Sequence, residues 1–393
     1  MKNKKNTVLI EINDNKIRGI GVLWDYAGNP EIVTAAEIET TGLYMGRVVN
    51  VQEASSAIAE LFSKISSKMQ SDILGCHLIL QSNKIQLHRN NAIVAFRDGE
   101  IEITHKQISR AKEIARMPML SLDKEILNEW VDDYIIDGQT GIEHPYGLFA
   151  HKMELVLCIL TLDRVDISNI RKIIELAGCG VESIMPISIA DMYAFIGENE
   201  KKLNCIINIS KNLYSIAVYS RNKLLKFNIY EVGYGDIIDS ICEHNKCSEN
   251  RALKFLSALN AVNNITTIKA HFPSVESKKI NSIITACFTS LAKDIKEKLE
   301  NQKFDNIFIK GEPANWECFL QFLKSMADPS LATPTPITIP KSQVLLPALD
   351  FASLLGGIQY LMTQTKKQKN HEENRGFFRG TVYKIKRLVE EYF

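Results

Sequence analysis

TVLIEINDNKIRGIGVLW, residues Thr7–Trp24, reads as two β-rich runs hinged on a turn. Thr7–Ile12 and Ile17–Trp24 are dominated by β-branched and apolar residues, and Asn13-Asp14-Asn15 supplies side chains that favour tight turns. A third strand is expected near Glu31–Ile38, after the Gly28-Asn29-Pro30 turn. Val51–Met69 then places Ala54, Ile58, Leu61, Phe62, Ile65 and Met69 at helical spacing, and Leu74–Leu80 returns to a strand. The opening is βββαβ. The same order restarts with three strands at Asn204–Ile209, Tyr214–Tyr219 and Lys223–Tyr230. Helices over Tyr234–Glu243 and Ser248–Leu259, a long helix Lys278–Leu299, the strand Asn306–Ile309 and a helix Asn315–Met326 follow. Two such openings predict a duplicated α/β unit.

A duplicated βββα unit is the plan of the actin, Hsp70 and sugar-kinase class, in which nucleotide sits between two lobes. The expected fold is therefore α/β, with two actin-like (ribonuclease H-like) lobes. Residues 1–82, 163–200 and 346–362 form lobe 1, and 201–345 form lobe 2. Between them, 83–162 changes texture and reads as an inserted module with strands near Ala92–Phe96, Asp133–Ile136 and Glu154–Leu162 and a helix Ile108–Ala115. A helix Ile167–Leu176, a strand Val181–Met185 and a helix Ile187–Phe195 lead back to the repeat. Asp328–Lys341, rich in proline, reads as a loop or edge strand, and Ala348–Met362 as a last apolar helix. Residues 363–376 are polar and expected to form a flexible linker.

The chain has 393 residues, 45% hydrophobic and 24% charged, which excludes collagen-like, wholly disordered and disulfide-scaffold readings. A net charge of +1 offers no global field for nucleic acid, so no nucleic-acid partner is expected. No apolar run is long enough to span a bilayer, and the basic start MKNKKNTVLIEI lacks a signal peptide's apolar region and cleavage site. A cytoplasmic address is expected. The eight cysteines are scattered through apolar segments, as small hydrophobes are. Cys242-Glu-His244-Asn-Lys-Cys247 lacks the second ligand pair that zinc needs, so it reads as a helix end and no metal is expected.

The last seventeen residues, FFRGTVYKIKRLVEEYF, form an amphipathic pattern. Phe378, Val382, Ile385, Val389 and Tyr392 make one helical stripe, widened by Phe377, Leu388 and Phe393. Arg379, Lys386 and Arg387 lie opposite with Glu390 and Glu391, and Lys384 sits at the border. Aromatics on one face and Lys/Arg on the other fit a helix lying in an anionic membrane surface. The competing reading is a helix docked on the protein's own core, against which the long polar linker argues. Partial insertion of such a helix is weak and reversible, so it anchors best when many copies act together.

An actin-type cleft cradles phosphates with Gly-rich hairpins, because glycine lets backbone N–H groups approach the oxygens. The superfamily's first hairpin reads Asp-x-Gly-(Thr/Ser)-x-Lys; here it is Glu11-Ile-Asn13-Asp14-Asn15-Lys16, which keeps only Lys16. Asp14 also sets a negative charge against the phosphate position. The second hairpin, usually Asp-x-Gly-Gly-Gly-Thr-x-Asp, is Asn208-Ile-Ser210-Lys211-Asn212-Leu213-Tyr-Ser215. The adenosine loop Gly-Gly-Gly becomes Gly311-Glu312-Pro313. Vestigial nucleotide contacts are confined to Lys16, Gly311 and, on the adenine side, Lys254 of Arg251-x-x-Lys254. No HExxH, GxSxG or GxGxxG occurs, so no catalytic residue is assigned.

The block Tyr134-Ile-Ile-Asp137-Gly138-Gln-Thr-Gly141-Ile142-Glu-His-Pro145-Tyr-Gly147 resembles the signature Tyr-x-x-Asp-Gly-x-x-Gly-Ile-x-x-Pro-x-Gly of the inserted 1C domain in the bacterial cell-division FtsA family. Ile174-Glu-Leu-Ala177-Gly178 with Val181-Glu, Val232-Gly233, and Pro347 to Gly356 are similar to further blocks of that family. The linker and amphipathic tail match its membrane-targeting sequence in place and character. The resemblance implies a peripheral protein on the cytoplasmic face of the inner membrane at the division site. It implies polymerisation through 1C, binding of the FtsZ C-terminal peptide by lobe 2, and recruitment of later division proteins. It also implies ATP and Mg²⁺, which the degraded motifs oppose; a pseudo-ATPase without enzymatic activity is expected. On the helix that carries FtsZ-binding Arg and Glu in the family, this chain has Cys287 and Ser290. The alternatives are a type IV pilus-assembly actin homologue, which lacks such a tail, and an ATP-dependent enzyme of the same superfold.

Overall fold

In the computed structural model the described residues are 5–96, 99–119, 123–196, 201–259, 271, 277–299, 302–326, 331–332, 341–342 and 349–365. The amphipathic tail 377–393 lies outside them. Lobe 1 begins with β1 (Lys5–Asn13), β2 (Lys16–Trp24) and β3 (Pro30–Glu39), joined as an antiparallel meander. A small hairpin (β4, Leu43–Tyr44, and β5, Arg47–Val48) leads to α1 (Val51–Met69). The next strand, β6 (Gly75–Gln81), pairs parallel to β1.

Helix α1 shows why the local sequence suffices there. The Asn50 carboxamide oxygen accepts from Gln52 N (3.0 Å) and Glu53 N (3.2 Å), and Gln70 ends the helix in the left-handed region. Its stripe of Ala54, Ile58, Leu61, Phe62 and Ile65 is buried on the sheet, each large side chain contributing about 1.5–3 kcal/mol.

The inserted unit is built on β7 (Gln86–Ala95), β9 (Lys124–Ile136), β10 (Gln139–Ile142) and β12 (Lys152–Asp163), in the order β10-β9-β12-β7. A short pair, β8 (Ile101–Glu102) with β11 (Phe149–Ala150), and helix α2 (His105–Arg116) complete it. Its own core gathers Ile103, Ala111, Ala115, Met153, Leu155, Leu157 and Ile159. Two strands are longer than the sequence predicts, β9 starting at Lys124 and β7 at Gln86. Most of β9 is half-buried, so its polar residues mask the pattern that a fully buried strand shows.

Helix α3 (Arg164–Leu176), β13 (Gly180–Pro186) and α4 (Ile187–Phe195) finish lobe 1. Lobe 2 repeats the plan: β14 (Asn204–Ile209), β15 (Tyr214–Ser220) and β16 (Lys223–Tyr230) form the meander, and β17 (Asn306–Gly311) lies parallel to β14. Helices α5 (Gly235–Asn245), α6 (Glu249–Ala258), α7 (Ser277–Lys298) and α8 (Glu317–Met326) surround it. The two sheets share one topology. In the orders β13-β6-β1-β2-β3 and β16-β15-β14-β17, the central antiparallel triplet is extended on its first strand by parallel neighbours. This is the duplication read from Thr7 and Asn204.

The Pro-rich segment touches both sheets at their edges: β18 (Leu331–Ala332) pairs with β17, and β19 (Lys341–Ser342) pairs with β3. The last helix, α9, spans 352–365, so the first three residues expected in the linker are helical. Thr363 and Thr365 donate their hydroxyls to Gln359 O and Leu361 O, both at 2.9 Å, satisfying themselves on the preceding turn. Lobe 2 holds a core of Phe255, Phe288, Trp316, Phe319 and Leu323, with Phe288 and Phe319 edge-to-face at 4.9 Å. Ile206, Ala217, Tyr219 and Phe227, on its sheet's other face, join the core of lobe 1. The lobes are therefore packed on one another, and their two first turns meet.

Candidate functional site

The β1–β2 and β14–β15 turns face each other where phosphate hairpins belong. Asp14 takes a left-handed backbone (φ 61°), tolerable for Asp, and is 1% exposed. Its carboxylate accepts from Asn212 N at 2.7 Å, from Asn212 Nδ2 at 3.0 Å, and from Met45 N at 2.9 Å. Ser210 Oγ donates to Asn13 Oδ1 at 2.6 Å, and Asn13 Nδ2 donates to Glu11 Oε1 at 3.3 Å. Asn208 Nδ2 donates to Gln81 Oε1, a third contact between lobes. Backbone N–H groups thus converge on an anion, as in a phosphate cradle, but the anion is a side chain of the protein itself.

Lys16 does not point at free space. Its Nζ lies 3.1 Å from Glu312, 3.3 Å from Glu39 and 4.0 Å from Glu37. Burial works against its charge, yet Tyr234, Glu312 and Glu37 outweigh burial and raise the ammonium above its ordinary value. Glu312 belongs to the degraded adenosine loop, so one residue of a lost motif has become the counter-ion of another.

Gly311 has a structural reason of its own. At φ 96° a Cβ there would stand 2.0 Å from Ile209 O, so only glycine permits β14 and β17 to close up. Lys254 is exposed on α6, in a different place. Of the three vestigial contacts, the fold brings together Lys16 and Gly311 and leaves Lys254 apart. The residues expected at a membrane, Phe377, Phe378, Val382, Ile385, Leu388, Val389, Tyr392, Phe393, Arg379, Lys384, Lys386 and Arg387, lie outside the described residues.

The space left between the turns is about 20 Å³, lined by Asn13, Asp14, Lys16, Ser210, Tyr234 and Glu312 among others. That is room for about one water molecule. A nucleotide pocket needs several hundred Å³. In this closed arrangement the residues do not fit a nucleoside triphosphate with its magnesium.

Beneath the turns, sequence reasoning missed a buried ion pair. Lys310 Nζ of β17 lies 2.7 Å from Asp191 of α4 and 2.5 Å from Ser353 Oγ of α9. Ser353 Oγ in turn donates to Asp191 at 2.9 Å. Burial pushes the Asp191 carboxyl above the usual carboxylate range, opposed by Lys310 and Ser353. The pair ties three segments across the lobes, and no local pattern in the sequence marks it. Asp14 did carry a signal, since an acid in a phosphate turn is out of place.

The signature block of the inserted unit has a similarly physical basis. Asp137 (φ 46°) and Gly138 (φ 88°) form the left-handed pair of a β-hairpin turn between β9 and β10. The Asp137 carboxylate accepts from Lys152 N at 2.8 Å and from His151 N, fixing the turn to β12. Cys242 and Cys247 flank the end of α5, where Lys246 is left-handed. They are free thiols.

A family model described as the SHS2 domain inserted in FtsA matches residues 82–161. The cell division protein FtsA of Neisseria meningitidis is 29% identical over 208 residues, 53% of this chain and 50% of that protein. FtsA of Streptococcus pneumoniae is 21% identical over 287 residues, 70% of this chain and 63% of that protein. The chain spans about half the length of the first curated relatives it matches. Among solved structures, a PilM–PilN type IV pilus biogenesis complex superposes with a TM-score of 0.62 at 12% identity, over 92% of this chain and 99% of that one. MreB5 of Spiroplasma citri bound to ADP gives 0.50 at 10% identity, over 93% and 99%. Those likenesses show the fold alone. The fold is actin-like, and the inserted domain and the curated relatives are what liken this chain to FtsA proteins.

Proposed function

We propose that the protein is a scaffold of bacterial cell division, tethering FtsZ filaments to the cytoplasmic face of the membrane without using ATP. The observation that carries this reading is an FtsA-type inserted domain at 82–161 within an actin-like lobe. The pilus-type alternative rests on a likeness of fold at 12% identity, whereas the inserted domain and the curated relatives are matched in sequence. Attachment is assigned to the amphipathic tail, whose aromatic stripe enters the headgroup region while Arg379, Lys384, Lys386 and Arg387 meet anionic lipid. No helix among the described residues is long and apolar enough to cross a membrane. One weak tail per copy holds firmly only in an assembly, for which the inserted domain is the self-association surface.

The FtsZ C-terminal peptide is assigned to lobe 2, through contacts other than the family's Arg and Glu. Cys287 is half-buried against the lobe's core and Ser290 is exposed, so neither supplies a charge. The cleft is a pseudo-nucleotide site, because Asp14 and Lys16 are engaged with protein partners and the space is one water wide.

Co-sedimentation with anionic liposomes tests the reading. Full-length protein is expected to carry FtsZ from the same cell into the pellet, with or without Mg-ATP. Protein lacking 377–393 should leave both in the supernatant. Pelleting of FtsZ that requires ATP would overturn the pseudo-nucleotide assignment, and failure of the full chain to pellet would overturn the membrane assignment.

A further inference from the structure

A cleft of about 950 Å³ opens between the inserted domain and lobe 2, away from the closed turns. One wall is the inserted sheet, from β9 and the end of β10 across to Arg89 of β7, with Lys112 of α2; the other carries Lys201, Arg221 and Lys223 of lobe 2. The walls are bridged by Lys223 Nζ, which donates to Asp132 O at 2.5 Å.

Charge is concentrated here. The lining has five cations against Asp132, Asp133 and Glu143, a surplus of two where the whole chain carries +1. Asp132 is taken by Arg89, and Asp133 Oδ1 accepts from Gly141 N at 2.9 Å. Lys112, Lys201 and Arg221 form no ion pair with the described residues. An unpaired surplus in a half-enclosed groove attracts anions and raises their local concentration.

The backbone points the same way. Arg221 (φ 51°) and Asn222 (φ 57°) are both left-handed at the tip of the β15–β16 hairpin. Such a turn favours Asn or Gly, and arginine at its first position is costly. Here the costly residue places a guanidinium on the cleft wall. On the facing wall, β10 is the edge strand of its sheet, and its outer edge pairs with no strand among the described residues. Gln139, Thr140 and Gly141 are exposed along it. An edge strand with a cationic wall opposite suits an extended chain that adds its backbone to the sheet and its carboxylates to the cations.

We infer that this cleft is a docking site for an acidic, extended segment of a partner protein, held by Lys112, Lys201 and Arg221 beside the edge of β10. The site is separate from the closed turns, with which it shares no lining residue. A segment seated there touches the inserted domain and lobe 2 at once and so fixes one against the other.

Fluorescence anisotropy of the full chain with a labelled hexaglutamate peptide tests this, with hexaglutamine as the uncharged comparison. Hexaglutamate is expected to bind saturably and to weaken as salt rises, and hexaglutamine not to bind. K201Q/R221Q, two exposed positions, should weaken hexaglutamate about tenfold, whereas K64Q/K68Q on α1 should leave it unchanged. R221N, which suits the turn better, keeps the fold and should account for much of that loss. Equal affinity for wild type and K201Q/R221Q, or no binding at all, would overturn the proposal. Complete displacement by millimolar phosphate would assign the cleft to a small anion, and displacement by phosphatidylglycerol vesicles to the membrane; either overturns the peptide assignment.

Discussion

The Asp14 carboxylate accepts the backbone N–H of Asn212 at 2.7 Å across the two lobes, with Met45 N on its other side at 2.9 Å. An anion held by amides of separate segments is what a phosphate provides in a cleft of this plan. Here the chain itself supplies the anion, and the space left between the turns is about 20 Å³. Two carboxylate-linked turns and a buried ion pair then hold the lobes closed by protein contacts alone.

Asp14→Gly relieves the left-handed backbone but leaves two buried amides without a partner. The expected net loss is about 2 kcal/mol, read from chemical denaturation. Hydrogen exchange should accelerate at Met45 and Asn212. A fluorescent ATP analogue should bind the variant better than the wild type, which should show no saturable binding. Unchanged exchange at both amides would refute the clamp.

Lys310→Met should cost about 3–5 kcal/mol, because Asp191 is then buried without its cation. Adding Asp191→Leu should recover most of that loss. A double variant as unstable as the single one would show that packing, and not uncompensated charge, sets the cost.

Gly311→Ala is expected to destabilise the fold by more than about 1 kcal/mol, since the new methyl meets Ile209 O and the backbone is left-handed. A residue serving only a nucleotide would tolerate the change in the ligand-free protein. Thermal melts distinguish the two roles.

His88 gives a pH dependence of definite sign. Its Nε2 lies 2.9 Å from Thr161 Oγ1, and burial, helped by Lys124, pushes its imidazolium below the ordinary value. The folded state therefore favours the neutral ring. Its contribution is present above the unfolded value of about 6.5 and is lost as the pH falls below it. Stability of the wild type should drop between about pH 7.5 and 5.5 more steeply than that of His88→Gln. Parallel slopes would remove His88 from the account.

Much of the architecture was legible in the chain. The runs at Thr7–Trp24 and Asn204–Tyr230 gave both meanders, and helices such as Val51–Met69 and Ile187–Phe195 have the bounds their spacing predicts. Strand β9 was read too short because a half-buried strand mixes polar and apolar residues. The short edge strands at Leu331 and Lys341 exist only through their partners β17 and β3. Gly311 was visible as a glycine, but its purpose was not, since Ile209 approaches it from 102 residues away in the chain.

What the sequence determined by itself is what local patterns encode: two copies of one α/β unit, an inserted module between them, and phosphate turns stripped of glycine. What only the tertiary structure decided is where the displaced charges went. Asp14 finds Asn212, Lys16 finds Glu312, and Lys310 finds Asp191, each pair more than a hundred residues apart. Strand and helix patterns arise from neighbours within a few residues, so they survive in one dimension. A buried charge is settled by whichever partner folding brings within about 3 Å, and that distance exists only once both lobes are built.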